Sequence, residues 1–145
     1  MRSLLSAIAW TLLALMIDIG AASAHEPGRV YRIGWLWVGQ PGLVEAPIEK
    51  ATGPIAIFRD AMRDRGYVVG KNLVIDMRHA HGDVARLSAE AESLVASGVD
   101  LIVPTGTAPT AAAIKATKRI PIVFGGVGNP VDKGFVASLA KPAET

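Results

Sequence analysis

The sequence predicts an α/β fold with a doubly wound parallel sheet, because short apolar strands alternate with helical segments along the chain. The plainest strands are Asp100–Val103 and Ile122–Phe124, each of which runs into a turn of small or Gly/Pro residues. Central parallel strands have this continuous apolar character. Strands that end in backbone-exposing turns build the ligand crevice of an open α/β sheet, so the same segments predict a small-molecule site.

The first half of the fold begins with a predicted strand at Val30–Trp37. A loop rich in Gly and Pro follows from Val38 to about Pro54. Apolar residues at helical spacing then predict a first helix: Ile55, Phe58 and Met62. Gly66 ends this helix, and Leu73–Arg78 is the second predicted strand.

The second half repeats the alternation of helix and strand. A second helix is predicted from about Val84 to Ser97, on the spacing of Leu87, Ala91, Leu94 and Val95. The remaining predicted elements are the third strand Asp100–Val103, an Ala-rich helix Ala108–Thr117, the fourth strand Ile122–Phe124 and a short helix from Lys133 to Leu139. Successive βαβ units give the expected strand order 2-1-3-4.

The N-terminal residues have the pattern of an export signal. Arg2 precedes an apolar stretch, Leu4–Ile17, and Ala22-Ser-Ala24 forms a cleavage site. We therefore expect residues 1–24 to be a signal peptide and residues 25–145 to be the mature α/β lobe. The chain contains no cysteine, which excludes a lipobox anchor and disulfides, and a periplasmic location fits best. The net charge is +2, and basic and acidic residues are interspersed along the chain, which does not indicate nucleic-acid binding.

The strand ends supply the candidate ligand-binding residues. The Thr105-Gly106-Thr107 turn offers two hydroxyls and free N–H groups at a helix start, which suits a carboxylate or another anion. Trp37, with Gly39 just beyond it, closes the first strand and could stack on a ligand, whereas Trp35 belongs to the core. Asn129, in the Gly128-Asn-Pro130 turn, can donate and accept hydrogen bonds. Each turn could also be purely structural.

Other chemistries have weaker support in the sequence. No G-x-S-x-G segment supplies an acyl-transfer nucleophile, and no motif for a cofactor is complete. His79 and His81, with Asp76 and Asp83 nearby, could form a divalent-metal cluster. Alternating residues at a strand end are more often exposed loop residues, so no metal site is assigned.

Taken in order, these segments resemble the ABC transporter substrate-binding protein family that includes tryptophan- and phenylalanine-binding members. The matching segments are Arg32–Leu36, Phe58–Tyr67, Gly70–Ile75, Asp100–Val103, Thr105–Thr107, Ala116-Thr117, Ile120–Phe124, Val127–Val131 and Gly134–Ala140. The resemblance implies a type I periplasmic-binding-protein fold, in which two lobes hold a small solute and present it to an inner-membrane ABC permease. Trp37, Gly39, Thr105–Thr107 and Asn129 would be this lobe's share of a non-catalytic site.

The sequence departs from the family pattern in three places. Asn129 stands where members often carry Asp, which removes a charge–charge contribution to binding an ammonium group. The loop Val38–Pro54 is several residues longer than usual. After Pro142 the family continues into a second lobe, so the chain is expected to be a truncated gene product, an incomplete gene model or half of a split receptor.

Two alternatives to a solute receptor remain. One is a degenerate or regulatory fragment that self-associates, or pairs with a separate second lobe, through its uncovered inter-lobe face. The other is an exported metal-binding protein or enzyme that uses His79 and His81.

Overall fold

A three-stranded parallel sheet forms the centre of the computed structural model, which describes residues 28–41 and 47–138. The elements in chain order are β1 (Tyr31–Trp37), α1 (Pro54–Arg63), β2 (Leu73–His79), α2 (Leu87–Ala96), β3 (Leu101–Pro104) and α3 (Thr107–Ala116). Short 3-10 turns at Ile48–Lys50 and Val84–Arg86 precede α1 and α2. The strand order is β2-β1-β3, with parallel pairing throughout. The predicted α/β class and parallel sheet are confirmed.

The expected fourth strand is not formed as a regular strand. Residues 121–125 run beside β3, where Ile102 donates to the Pro121 carbonyl and Gly125 donates to that of Pro104, at 3.0 and 3.1 Å. Pro104 has no N–H, so the ladder lacks a donor in the middle of this pairing. The segment therefore joins β3 only through isolated bridges, at Ile122 and Gly125.

The short helix expected from Lys133 to Leu139 is also absent from the described part of that range. Residues 130–134 form hydrogen-bonded turns instead, in which Gly134 donates to Val131 and Phe135 donates to Pro130, both at 2.9 Å. Leu139 lies outside the described residues, as does the expected signal peptide at 1–24. Within the described ranges, no helix combines the length and apolar character that a membrane crossing requires.

The sheet is covered by helices on both faces, and each face has its own core. On one face Ile33 and Trp35 pack with α1, where the rings of Trp35 and Phe58 lie 5.4 Å apart. On the other face Leu36 and Ile102 pack against α2 and α3. This alternation along β1 follows from the period of two in a strand, which sends successive side chains to opposite faces. Both clusters extend to the carboxyl ends of the strands, one through Leu36 and the other through Val103.

Asp100 fastens β3 to β1 at the amino end of the sheet. Its carboxylate accepts hydrogen bonds from the Arg32 N–H and from the Arg29 guanidinium, each at 2.8 Å. The backbone hydrogen bond from Arg32 has the largest effect on the pKa of Asp100 and, with the help of Arg29, outweighs the opposing effect of burial. The pKa of this carboxyl is therefore held below its usual value.

This depressed pKa predicts a pH-dependent contribution to stability. A group with a lowered folded-state pKa stabilises the fold above its unfolded pKa, about 3.9 for Asp, and the contribution is lost as the pH falls through the folded-state pKa. Asp100→Asn is expected to lower the free energy of unfolding at pH 7. The difference in free energy of unfolding between Asp100→Asn and the unmodified protein should become smaller below about pH 4, as measured by urea unfolding. A difference that stays constant from pH 7 to pH 2 would show that the carboxylate charge makes no contribution.

Candidate functional site

The carboxyl ends of β1 and β3 and the end of the segment 121–125 lie side by side. The Thr105 N–H donates to the Leu36 carbonyl at 2.8 Å, which ties the end of β3 to the end of β1. The Gly106 N–H donates to the Gly125 carbonyl, also at 2.8 Å. A Cβ on Gly126 would lie 3.9 Å from the Gly106 nitrogen. Three of the predicted ligand loops therefore begin from one row at the sheet edge, as an open α/β sheet requires.

The middle loop of this row leads directly into α3. The helix begins at Thr107, and its N-cap, Gly106, supplies no side-chain hydrogen bond. Thr110 is fully buried and donates its hydroxyl to the Gly106 carbonyl at 2.7 Å, which fixes the turn from inside the helix. Since the first N–H groups of a helix have no intrahelical acceptor, this start can receive an anionic group beside the half-buried Thr105 and Thr107.

Trp37 stands at the end of β1 with an unused donor. Its Nε1 is buried and is the one such side-chain atom, among the described residues, that has no hydrogen-bond partner. A buried donor left without an acceptor costs about 1–3 kcal/mol. An oxygen of a bound ligand would recover that cost once the atoms that cover Nε1 move aside. Trp35, two residues earlier, is 9% exposed and belongs to the core, as the sequence predicts.

Gly39 is required by the histidine at the end of β2. The β1–β2 register places Trp37 opposite His79, and their rings are 5.8 Å apart. A Cβ on Gly39 would lie 2.8 Å from the Nδ1 of His79, closer than real Cβ atoms come, so the glycine makes room for the imidazole. Gly39 thus shapes the end of β1, although it offers no side chain to a ligand.

The interpretation of both histidines as exposed loop residues is wrong for His79. His79 is the last residue of β2 and is only 8% exposed, because its ring packs between those of Trp37 and His81. His81 is exposed, as expected. The nearby carboxylates are engaged elsewhere: Asp76 pairs with Arg78 at 3.0 Å, and Asp83 caps the Ala85 N–H. No group of three or more metal-ligating side chains occurs in the part of the chain that the structure describes.

Asn129 lies on a separate turn beyond the row. It has a left-handed backbone, with φ of 52°, and its side-chain amide donates to the Asp132 carboxylate. The rings of Phe124 and Phe135 meet at 6.2 Å and pack this turn against the segment 121–125. The structure therefore joins the end of β1 to the Thr105–Thr107 turn through the Leu36 carbonyl, while the hydrogen bonds of Asn129 stay within its own turn.

Two residues that shape this edge, Thr110 and His79, were not predicted from the sequence. Thr110 could have been found as the single hydroxyl four residues after Gly106 in an Ala-rich helix, the spacing at which a side chain reaches back one turn. The partnership of His79 with Trp37 and Gly39 depends on the strand register, for which the sequence carries no local signal.

Comparison with known proteins identifies relatives of this architecture. A family model described as "ABC transporter substrate binding protein" matches residues 48–145. A tyrosine-binding protein of Clostridioides difficile is 39% identical over 106 residues. Among solved structures, a conserved domain protein of Vibrio cholerae superposes with a TM-score of 0.64 at 31% identity. The ligand-free, open structure of a substrate-binding protein with adhesive properties from Clostridium difficile gives 0.63 at 32%.

These matches cover most of this chain but only part of each relative. The alignment with the tyrosine-binding protein spans 72% of this chain and 30% of that protein. The two solved structures are matched over 77% and 76% of this chain and over 35% of theirs. The family model alone covers more than half of the sequence, and its range includes β2, β3 and the Thr105–Thr107 turn. The chain belongs to the ABC transporter substrate-binding protein family.

Proposed function

We propose that this protein is the substrate-binding component of an ABC importer and that it binds an aromatic amino acid or a closely related small solute. The observation that carries the proposal is the row of strand ends, in which the end of β1, where Trp37 lies, is hydrogen-bonded to the turn that begins the uncapped helix α3. Binding requires no covalent step, and we propose that the protein delivers its solute unchanged.

The chemistry of the row suits such a ligand. The N–H groups at the start of α3 and the hydroxyls of Thr105 and Thr107 are suited to an α-carboxylate. The Trp37 indole offers an apolar face for a ring and a donor for an oxygen. Asn129 could accept from an ammonium group on rearranging its turn. A related family member carries the name tyrosine-binding protein, which supports an aromatic amino acid.

We also propose the setting in which this lobe works. Residues 1–24 act as an export signal, and residues 25–145 act in the periplasm as one lobe of a two-lobed receptor. Closure of a second lobe over the row then holds the solute and presents it to a membrane permease. A ligand enclosed from two sides gains contacts that one lobe cannot supply alone.

Calorimetric titration of the full-length protein with L-tyrosine, L-tryptophan, L-phenylalanine and non-aromatic amino acids tests this function. We expect aromatic amino acids to bind and Trp37→Leu to weaken binding by about ten- to hundredfold, since it removes both ring contact and N–H donor. Trp37→Phe should weaken binding less than Trp37→Leu does, because phenylalanine removes the N–H donor but keeps an aromatic ring.

Lys71→Ala provides the control, because Lys71 is exposed in the turn before β2, at the opposite edge of the sheet. It should leave every affinity unchanged. Binding of none of the amino acids, or equal affinities for the unmodified protein and Trp37→Leu, would count against the proposed site.

A further inference from the structure

We propose that His81 is a specificity-determining residue that reads a polar substituent at the side-chain end of the ligand. The inference rests on the proposed function and extends its site from β1 and β3 to the end of β2. What carries it is a pair of segments, residues 37–41 from the last residue of β1 onward and residues 79–83 from the last residue of β2 onward, named here the double loop.

The two halves of the double loop are fastened to each other. Ala80 donates to the Trp37 carbonyl at 3.3 Å, and Gly82 donates to the Val38 carbonyl at 2.9 Å. Each half also carries a glycine that the other half needs: a Cβ on Gly82 would lie 2.7 Å from Pro41 Cδ, just as one on Gly39 would strike His79. Close approach of this kind fixes the position of the residue between them, His81.

The backbone of His81 is held in an unfavourable conformation. Its φ is 52°, and only Asn129 shares a positive φ among the non-glycine residues of the described ranges. The His81 N–H donates to His79 Nδ1 at 3.2 Å, and the two rings lie 4.0 Å apart. A histidine in the left-handed region is uncommon and costs free energy, and such residues cluster at binding sites. This backbone conformation presents the exposed imidazole of His81 on the support that the double loop provides.

The donor arrangement separates the roles of the two histidines. His79 is buried and uses Nδ1 to accept from the backbone, so it acts as a positioning residue. His81 is exposed, and a neutral imidazole offers one donor and one acceptor. That pair of functions matches a phenolic hydroxyl, which also donates and accepts.

The spacing across the sheet fits an aromatic amino acid. The end of β2 is two strands from the end of β3, which corresponds to roughly 10 Å. A ligand whose carboxylate lies at the start of α3 would pass its ring over Trp37, the residue between them in the sheet. Its ring substituent then reaches the side on which His81 stands. His81 is therefore expected to favour L-tyrosine over L-phenylalanine.

The test compares the affinities of the full-length protein for L-tyrosine and L-phenylalanine in His81→Gly and His81→Asn. Glycine adopts a positive φ without strain, so His81→Gly removes the ring and leaves the loop unstrained. Asparagine tolerates the same backbone conformation and keeps a polar group. We expect the unmodified protein to prefer L-tyrosine by about five- to tenfold, as one hydrogen bond provides. His81→Gly should bring the ratio to about one at an unchanged or higher Tm, and His81→Asn should retain part of it.

Several outcomes would overturn this inference. They are an unchanged ratio in His81→Gly, an equal loss for both ligands, which indicates a structural role, and a preference that disappears on adding EDTA, which indicates a metal. Equal affinity of the unmodified protein for the two ligands overturns the role of His81 and leaves the proposed function standing. Binding of neither ligand overturns both.

Discussion

Replacing Leu94 with alanine is expected to lower the free energy of unfolding by about 2–5 kcal/mol, among the largest effects expected of any single change in the described residues. Leu94 is fully buried in α2 and belongs to the core between the sheet and the helices α2 and α3. Its methyl groups lie where a Cβ on Gly34 would come within 2.9 Å. Truncation thus leaves a cavity beside the closely approaching backbone of Gly34. The cavity cannot close unless β1 is distorted.

Urea unfolding measures this effect, and Glu92→Ala is the matched control. Glu92 is two residues away on the same helix and is exposed, so alanine there should change the free energy of unfolding by less than about 0.5 kcal/mol. If Leu94→Ala cost no more than Glu92→Ala, α2 would not be packed on the sheet as described. A loss of cooperative unfolding in Leu94→Ala would instead show that this core is required for the folded state.

The position of Leu94 was predictable because helical periodicity is local. Apolar residues spaced three and four apart in 87–95 identify a buried stripe from sequence alone, and the structure buries Leu87, Ala91 and Leu94. The strands of the sheet were likewise recognisable as short apolar runs between turn residues, with bounds within one residue of those observed. Fold class therefore follows from patterns that neighbouring residues carry by themselves.

The fourth strand shows where such local patterns fail to predict the structure. Ile122–Phe124 has the composition of a strand, yet its regularity depends on a donor from a residue in the partner strand. Pro104 cannot provide that donor, and no property of residues 122–124 discloses this. A pairing between segments is a joint property of both, so propensity within one segment overestimates its order.

The candidate site divides in the same way. Strand-end turns predict Trp37 and Thr105–Thr107 because parallel strands bring their carboxyl ends to one edge. The burial of His79 could not be predicted, since it follows from the pairing of His79 with Trp37 and from the absence of a side chain at Gly39. Residues 37 and 79, which the strand pairing brings together, are 42 positions apart in the sequence.

Substituting alanine for Gly39 is expected to lower the free energy of unfolding by about 2–5 kcal/mol. One part is the left-handed backbone, with φ of 71°, which costs an L-residue about 1–2 kcal/mol. The other part is overpacking, about 1–3 kcal/mol, because the new methyl group would lie 2.8 Å from Nδ1 and 3.1 Å from Cβ of His79. The Cβ of His79 is fixed to β2, so a rotation of the ring cannot relieve both contacts.

Gly98 allows the two parts to be separated. It has nearly the same backbone, with φ of 69°, but a Cβ there would meet no atom within 4 Å, so Gly98→Ala should show the conformational cost alone. Combining Gly39→Ala with His79→Ala should remove the contacts with Nδ1 and Cγ but keep the one with Cβ, and so should bring the effect of the alanine at residue 39 closer to that of Gly98→Ala. Equal costs for Gly39→Ala in the presence and absence of the His79 side chain would mean that the two loops do not pack on each other. The support proposed for His81 would then be lost as well, because the His81 N–H donates to Nδ1 of His79, the residue for which Gly39 makes room.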